Sequence, residues 1–198
     1  VYIDGRAIKL VSLSGTYEPQ KGDVIIGKVI DVSMNGWRID TNCAYSAMLN
    51  VRDATSEFIP KTADLTRYFN LGDYVVSEVV NVTSQKLVDL SMKGPGLRKL
   101  GEGRIIHVSP PKVPRIIGKR GSMVSLIKQA TDTKIIVGQN GLIWISGEDP
   151  KLELLAVRAI RKIEQNSHVS GLTETMKSFL EAETGKKLEV EDHGLHEA

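Results

Sequence analysis

A short basic turn, Gly118-Lys119-Arg120-Gly121, holds the residues of this chain that are best suited to bind an anion. Glycine at both ends of the turn removes the Cβ atoms, so a flexible polyanion can approach the backbone closely. Lys119 and Arg120 supply positive charge, and a helix that begins after the turn would add free N–H groups. This chemistry suits a sugar-phosphate backbone, so the turn predicts nucleic-acid binding.

The charge around the turn supports this interpretation. Between residues 98 and 130, eight basic residues stand against one acidic residue, whereas the formal net charge of the whole chain is +2. An ordinary turn on a solvated surface is the alternative, since a chain with 18 glycines produces this spacing easily. Because the basic block coincides with the turn, we favour an anionic partner and expect further contacts from Lys112, Arg115 and Lys128.

The flanks of the turn predict a module that would hold it in place. Two apolar residues precede the turn, and apolar residues then recur at helical spacing, at Met123, Val124, Ile127 and Ala130. Prolines mark the entry to a short first helix, and Asn140-Gly141 marks a hairpin. The predicted elements are a strand over 103–108, two helices around the turn, strands over 134–137 and 142–145, and a helix that opens with Asp149 and Pro150.

This order of elements resembles a type I KH domain over residues 103–167, with the topology βααββα. Residues 118–121 match its GXXG loop, and its apolar and threonine positions after the loop match Val124, Ile127, Thr131 and Ile135. One departure is Asp132, where many KH domains have glycine. The resemblance implies a loop that clamps about four nucleotides of single-stranded RNA beside an apolar groove.

The preceding part of the chain, residues 21–93, repeats short strand signals separated by glycine and asparagine turns. The predicted strands cover 22–32, 36–40, 46–50, 72–82 and 87–93, and residues 51–70 form a long connection between the third and the fourth. Five short strands of this kind indicate a small antiparallel barrel. The chain is therefore predicted to be multidomain, with a mainly β part followed by an α+β part.

This barrel resembles the OB-fold RNA-binding domain named after ribosomal protein S-one. The match rests on Gly-Asp strand openings at 22–23 and 72–73, the turn Asn35-Gly36 and the closing Leu90-Ser91-Met92-Lys93. Members that bind RNA on the barrel face carry an aromatic residue and a histidine where this chain has Arg38 and Asn50. Trp37 lies one position away, either as a stacking platform for bases or as a packing residue, and Arg38 could meet phosphate. We therefore expect the barrel to be a secondary RNA contact.

The ends and connections of the two modules carry separate predictions. Residues 1–20 form a short amino-terminal β segment with apolar residues on both alternating faces, at Ile8, Leu10, Val11 and Leu13. Such a strand needs cover on both sides, either from a core within the chain or from a partner protein. Residues 94–102 are predicted to be a linker. The carboxy-terminal region, 168–198, should contain a helix over 173–184 and a polar, acidic and disordered segment over 186–198.

Residue patterns for catalysis, metal binding or a cofactor are not found in the sequence. The histidines at positions 107, 168, 193 and 196 lack metal-site spacing, and no nucleophile elbow or Walker loop is present. A single cysteine, Cys43, precludes an intrachain disulfide and favours a reducing, cytoplasmic location. The sequence contains no run of about 18 apolar residues, so no membrane span is predicted. We therefore expect a protein without catalytic residues, metal site or cofactor.

The combination of modules, a barrel followed by one type I KH domain, resembles the KH-containing RNA-binding cap subunits of the archaeal exosome over roughly residues 1–170. The resemblance implies a non-catalytic protein that captures single-stranded RNA and guides its 3′ end into a hexameric ring of RNase-PH-like subunits for degradation. It further implies three copies per ring, alone or mixed with the zinc-ribbon cap protein, and we expect docking through residues 1–20. Two alternatives stay open, a free-standing NusA-like regulator of transcription or translation and a nuclease, which would need several barrel acids to converge.

Overall fold

The computed structural model describes residues 2–4, 7–9, 14–57, 59–60, 63–169 and 171–188. It begins with a two-stranded antiparallel sheet of β1 (Tyr2–Asp4) and β2 (Ala7–Lys9). The predicted amino-terminal β segment is thus a hairpin. Of the predicted docking residues, Ile8 is described only by its backbone in β2, whereas Leu10, Val11 and Leu13 lie outside the described residues, so their docking role stays a prediction.

The five predicted barrel strands form a closed barrel in the order β3-β4-β5-β7-β6. Their bounds are β3 Val24–Ser33, β4 Gly36–Asp40, β5 Ser46–Asn50, β6 Tyr74–Val82 and β7 Val88–Ser91. Neighbouring strands are antiparallel except β5 and β7, which are parallel. The long connection, with helix α1 (Val51–Ala54), brings β6 antiparallel to β3, so β7 then runs in the direction of β5. This closing pair corrects the prediction of a purely antiparallel barrel.

Side chains at alternate strand positions fill the barrel interior, as the strand period of two requires. In β4, Trp37 and Ile39 are fully buried, while Arg38 between them is exposed. The Trp37 indole donates a hydrogen bond to the carbonyl oxygen of Phe69 (2.9 Å) and meets the Phe69 ring edge-on, with ring centroids 4.9 Å apart. Trp37 therefore belongs to the core of the barrel.

The second module has the predicted order βααββα. Its elements are β8 Arg104–His107, α2 Val113–Ile117, α3 Ser122–Thr131, β9 Lys134–Val137, β10 Leu142–Ser146 and α4 Pro150–Gln165. The sheet is antiparallel in the order β8-β10-β9, and α3 and α4 share one apolar core with it. Asp149 caps α4 by accepting the N–H of Lys151 (2.8 Å), which confirms the predicted helix start.

A further helix, α5 (Leu172–Thr184), packs into the same core. Met176 and Leu180 are fully buried there, and Leu188 after the helix is 5% exposed. The Leu188 N–H donates to Glu181 Oε1 (2.9 Å), which holds the chain against the helix. The module therefore extends to residue 188, and the prediction of disorder is wrong for residues 186–188. Residues 189–198 lie outside the described part of the chain.

The predicted linker, residues 94–102, is an ordered part of the barrel rather than a free connection. The Val76 N–H donates to the Arg98 carbonyl oxygen and the Leu100 N–H donates to the Tyr74 carbonyl oxygen, each at 2.8 Å. The segment thus runs alongside β6. Its apolar residue Leu100 is buried, and this burial explains why the segment is fixed in place.

An ion pair between Lys99 and Asp73 also ties this segment to the barrel. Burial alone would raise the pKa of Asp73, but hydrogen bonds from Lys99 and from the Asn70 N–H lower it below its ordinary value. The carboxylate therefore stays ionised well below neutral pH and keeps its contact with Lys99.

The barrel and the KH module are joined by a shared buried interface. One apolar cluster contains residues from both modules: Ile26, Val76, Leu100, Leu142 and Trp144. The alternate β10 residues Ile143 and Ile145 belong to the helix-covered core. Strand β10 is therefore buried on both faces, which accounts for its four consecutive apolar residues, Leu142 to Ile145.

A buried asparagine, Asn140, locks this interface with hydrogen bonds. Its Nδ2 donates to the carbonyl oxygens of Ile26 (2.7 Å) and Thr41 (2.9 Å), and its Oδ1 accepts the Ile26 N–H (3.3 Å). Asn42 donates in return to the Asn140 carbonyl oxygen (3.0 Å). Because a fully paired buried polar network specifies one geometry, the glycine turn keeps a fixed position relative to the barrel.

Candidate nucleic-acid interface

The glycine turn lies between α2 and α3, as predicted. Gly118 and Gly121 have positive φ angles of 77° and 81°. A Cβ atom at Gly118 would lie 2.7 Å from the backbone nitrogen of Met123, so the close approach of α3 requires glycine there. At Gly121 a Cβ would meet no atom within 4 Å, and the backbone conformation alone favours glycine.

Arg120, between the glycines, also has a left-handed backbone, with φ 53° and ψ 28°. For a residue with a Cβ atom this conformation costs about 1–2 kcal/mol. The flanking helices must offset that cost, so the turn has one imposed shape. Lys119 and Arg120 are both exposed in it.

The other predicted cations have unequal roles around the turn. Lys128 is exposed in the last turn of α3, and Lys112 is half-buried in the short 3-10 turn before α2. Arg115 instead donates from Nε to the Ser167 carbonyl oxygen (2.9 Å) and from a terminal nitrogen to the Val169 carbonyl oxygen (3.2 Å). These bonds tie α2 to the segment that follows α4 and leave Arg115 fewer N–H groups for phosphate, so its predicted RNA contact stays a prediction.

The amino-terminal end of α3 adds donors beside the cations. Its N-cap residue is Gly121, so no side chain caps the N–H groups of the first helical turn. The helix dipole places partial positive charge at the same end. Exposed cations and a helix N-terminus thus form one electropositive surface, which suits phosphate groups.

A cleft of about 660 Å³ opens beside Gly118, between the KH module and residues 16–23. Val113, Pro114 and Ile117 of α2 line its apolar side. This arrangement provides an apolar groove next to the turn, as the resemblance to KH domains implied. Unstacked bases can lie against such a surface while the phosphates follow the turn.

The opposite wall of the cleft was not predicted from the sequence. Tyr17 donates its hydroxyl to Asp23 Oδ2 (2.6 Å), which also accepts the Gln20 N–H (3.1 Å). Burial, and next the hydrogen bond with Asp23, raise the pKa of Tyr17 above its ordinary value, so the phenol remains a donor. Glu18 and Gln139 complete this wall. No motif in residues 14–23 indicated a site, because the contact arises only when the two modules meet.

The barrel face offers a weaker site than the turn. Of the two roles left open for Trp37, the structure supports packing and contradicts the stacking platform, because the side chain lies fully buried in the core together with Ile39. Arg38 is exposed, but its cross-strand neighbour is Asp31, whose carboxylate offsets part of its charge. Arg38 is thus the predicted barrel residue that still has surface available for phosphate.

The described ranges contain no group of three or more His, Cys, Asp or Glu side chains that could hold a metal ion. Within the same ranges, no helix is long and apolar enough to cross a membrane.

Comparisons with known proteins agree with this interpretation of the two modules. A family profile described as KH domain matches residues 103–151, and one described as RRP4, S1 domain matches residues 16–59. An exosome complex component Rrp4 of Pyrococcus furiosus is 41% identical over 200 residues, covering 100% of this chain and 75% of that protein. The protein of the same name in Picrophilus torridus is 44% identical over 180 residues, covering 91% and 77%. The chain belongs to the Rrp4 family.

A solved structure extends the Rrp4 likeness to the fold. It is described as a candidate exosome complex RNA-binding protein, and it matches with a TM-score of 0.75 and 36% identity over 85% of this chain and 97% of its own. Membership of the Rrp4 family confirms the predicted resemblance to KH-containing exosome subunits. It also confirms the predicted fold class, a barrel module followed by a KH module.

Proposed function

We propose that this chain is a non-catalytic RNA-binding subunit of an exosome complex, which captures single-stranded RNA and guides its 3′ end to the degrading subunits. The observation that carries the proposal is the glycine turn, where Lys119 and Arg120 are exposed beside an apolar cleft. The exosome assignment is supported by the names of the Rrp4 relatives.

The geometry favours a single strand over a duplex. Phosphates of a single strand can follow the cations and the N-terminus of α3, while its unstacked bases enter the cleft beside Gly118. A duplex keeps its bases paired and stacked, so it could use only the cations. Because phosphate contacts carry no sequence information, the turn supports capture of many different RNAs.

The proposal includes docking of the amino-terminal segment on a hexameric ring of RNase-PH-like subunits. β1 and β2 pair only with each other among the described strands, and an isolated hairpin is marginal in water. A partner that covers the hairpin would stabilise it. Three copies per ring, alone or mixed with a zinc-ribbon cap protein, rest on the resemblance to archaeal exosome cap subunits.

Charge reversal in the turn tests RNA capture. The double variant Lys119→Asp/Arg120→Asp should keep the fold, since both side chains are exposed and aspartate tolerates a left-handed backbone. We expect weaker binding of single-stranded RNA. The slope of log affinity against log salt should also flatten, by about 0.7 for each phosphate that the variant no longer binds. Fluorescence anisotropy over a salt series measures both.

A matched control carries the same charge change outside the turn, in Lys151→Asp/Lys186→Asp, where both lysines are exposed. This variant should lose only the general attraction that comes from net charge. An unchanged salt slope in the turn variant, or an equal flattening of the slope in both variants, would remove the turn from the RNA path.

A further inference from the structure

Acidic side chains line the cleft beside Gly118, whereas the glycine turn is basic. We propose that it is a base-binding subsite in which Glu18 accepts a hydrogen bond from the exocyclic amino group of one base, so that cytosine is preferred to uracil. The inference rests on the proposed RNA-binding function and adds a specificity-determining residue from outside the KH module.

The size and the apolar side of the cleft suit a small planar group. Its volume of about 660 Å³ leaves room for one nucleobase, and the cleft is open to solvent. The apolar side is built from prolines and branched residues: Pro110, Pro111, Val113, Pro114 and Ile117. Proteins that accept an extruded base hold its faces between apolar or aromatic side chains of this kind.

The polar side decides which part of a nucleotide enters the cleft. Glu18 and Asp23 line it, and no lysine or arginine is among its lining residues. Carboxylates repel phosphate, whereas the exposed cations lie on the turn that starts at Gly118, which itself lines the cleft. The backbone of a bound strand should therefore follow the turn and leave a base to enter the cleft.

Hydrogen-bonding groups in the cleft select among bases. Asp23 is already occupied by the contacts described above, but Glu18 is exposed and has no hydrogen-bond or ion-pair partner among the described residues. A free carboxylate accepts the N4 amino group of cytosine. Uracil presents a carbonyl oxygen in the same place, and two acceptors repel each other. Gln139 uses its Oε1 to accept the Val24 N–H (3.1 Å), which leaves its amide N–H groups to donate to a base acceptor.

The cleft is formed before RNA arrives, because its two walls are bonded to each other. The Gln139 N–H donates to the Val24 carbonyl oxygen (2.9 Å), and the Val24 N–H returns a bond to Gln139. The next residue, Asn140, is the buried tie between the modules. Binding a base therefore requires no movement of one module against the other, and ordering the site costs little affinity.

The test compares oligo(C) and oligo(U) of equal length, bound to the full chain at one salt concentration and measured by fluorescence anisotropy. The wild type should bind oligo(C) about tenfold more tightly, as one specific base contact provides. Glu18→Ala should bring the ratio of the two dissociation constants close to one. Since both RNAs have the same phosphates, this ratio cancels the general effect of removing a negative charge.

The control Glu174→Ala removes an exposed carboxylate from α5 and should keep the tenfold ratio. Equal binding of the two RNAs by the wild type, or an unchanged ratio in Glu18→Ala, would overturn the subsite while RNA capture stands. If neither RNA binds, both proposals fail. Thermal unfolding of each variant shows whether the fold is intact, as we expect for exposed side chains.

Discussion

Two hairpins of this molecule share the turn dipeptide Asn-Gly, at Asn35-Gly36 in the barrel and at Asn140-Gly141 in the KH module. Asn35 is exposed, whereas Asn140 is fully buried and its side chain makes three hydrogen bonds to barrel backbone groups. The dipeptide produces a turn in both places, but the surroundings decide whether the turn also joins two modules. A local signal therefore predicts local geometry and leaves its larger role undetermined.

The glycines of the two turns have the same requirement. A Cβ atom at Gly36 would lie 2.1 Å from the Leu49 carbonyl oxygen, and one at Gly141 would lie 2.4 Å from the Val108 carbonyl oxygen. Both glycines also have positive φ, at 146° and 82°. The two turns are therefore alike in their glycines and differ in their asparagines.

The largest expected effect on stability tests whether the two glycines are equivalent. Gly36→Ala and Gly141→Ala should each lower the free energy of unfolding by about 3 kcal/mol, because a backbone carbonyl cannot move aside cheaply and the backbone is strained for alanine. For a chain of this size that corresponds to a fall in Tm of about 6–12 °C. Calorimetry measures the fall, and an alanine that is tolerated at only one of the two positions would show that the turns are not equivalent.

The next largest effect on stability tests the difference between the two asparagines. Asn140→Ala should lower the free energy of unfolding by about 2–3 kcal/mol, since it leaves backbone groups of Ile26 and Thr41 buried without their partner. Asn35→Ala should change it by less than about 0.5 kcal/mol, as is usual at the surface. Urea unfolding of the matched pair measures both values. Equal losses would mean that the asparagine stabilises the turn itself and not the interface between the two modules.

A third substitution, at Ser77, separates the effect of hydrogen bonding from the effect of burial. Ser77 in β6 is also fully buried, but within the described part of the chain its hydroxyl has no hydrogen-bond partner. Ser77→Ala should therefore shift the free energy of unfolding by less than about 1 kcal/mol, towards greater stability, because it removes an unpaired polar group. The same urea titration measures it. A substantial loss would imply that any buried polar side chain matters here, whether or not it is bonded.

Much of the fold was predictable, because each element carries its own local signal. The predicted strands at 36–40 and 46–50 coincide with β4 and β5, and the Asp149-Pro150 pair marks the start of α4. The interface between the two modules was not predictable in the same way. An apolar strand such as β10 shows that both of its faces are covered, but its sequence does not specify the barrel strands that cover one of them.

The same limit applies to the candidate site. The turn was predictable because its residues are consecutive, whereas Tyr17 and Glu18 reach the cleft only through the packing of distant segments. Trp37 was ambiguous because an aromatic residue on a binding face and one in a core have the same sequence appearance. Its burial with Ile39 resolves the ambiguity, and only the alternation within β4 pointed towards it.

Under the proposed function, the fixed interface between the modules also affects how long RNA is retained. For an RNA strand long enough to reach both modules, a first contact at the glycine turn makes the second contact, at Arg38 on the barrel, an intramolecular event. Even flexible linkers give such a second site an effective concentration in the millimolar range. Because Asn140 holds the interface between the modules, the effective concentration of the second site is constant and is not averaged over module orientations. In the proposed mode of binding, a barrel contact too weak to act alone would then slow the escape of RNA from the turn.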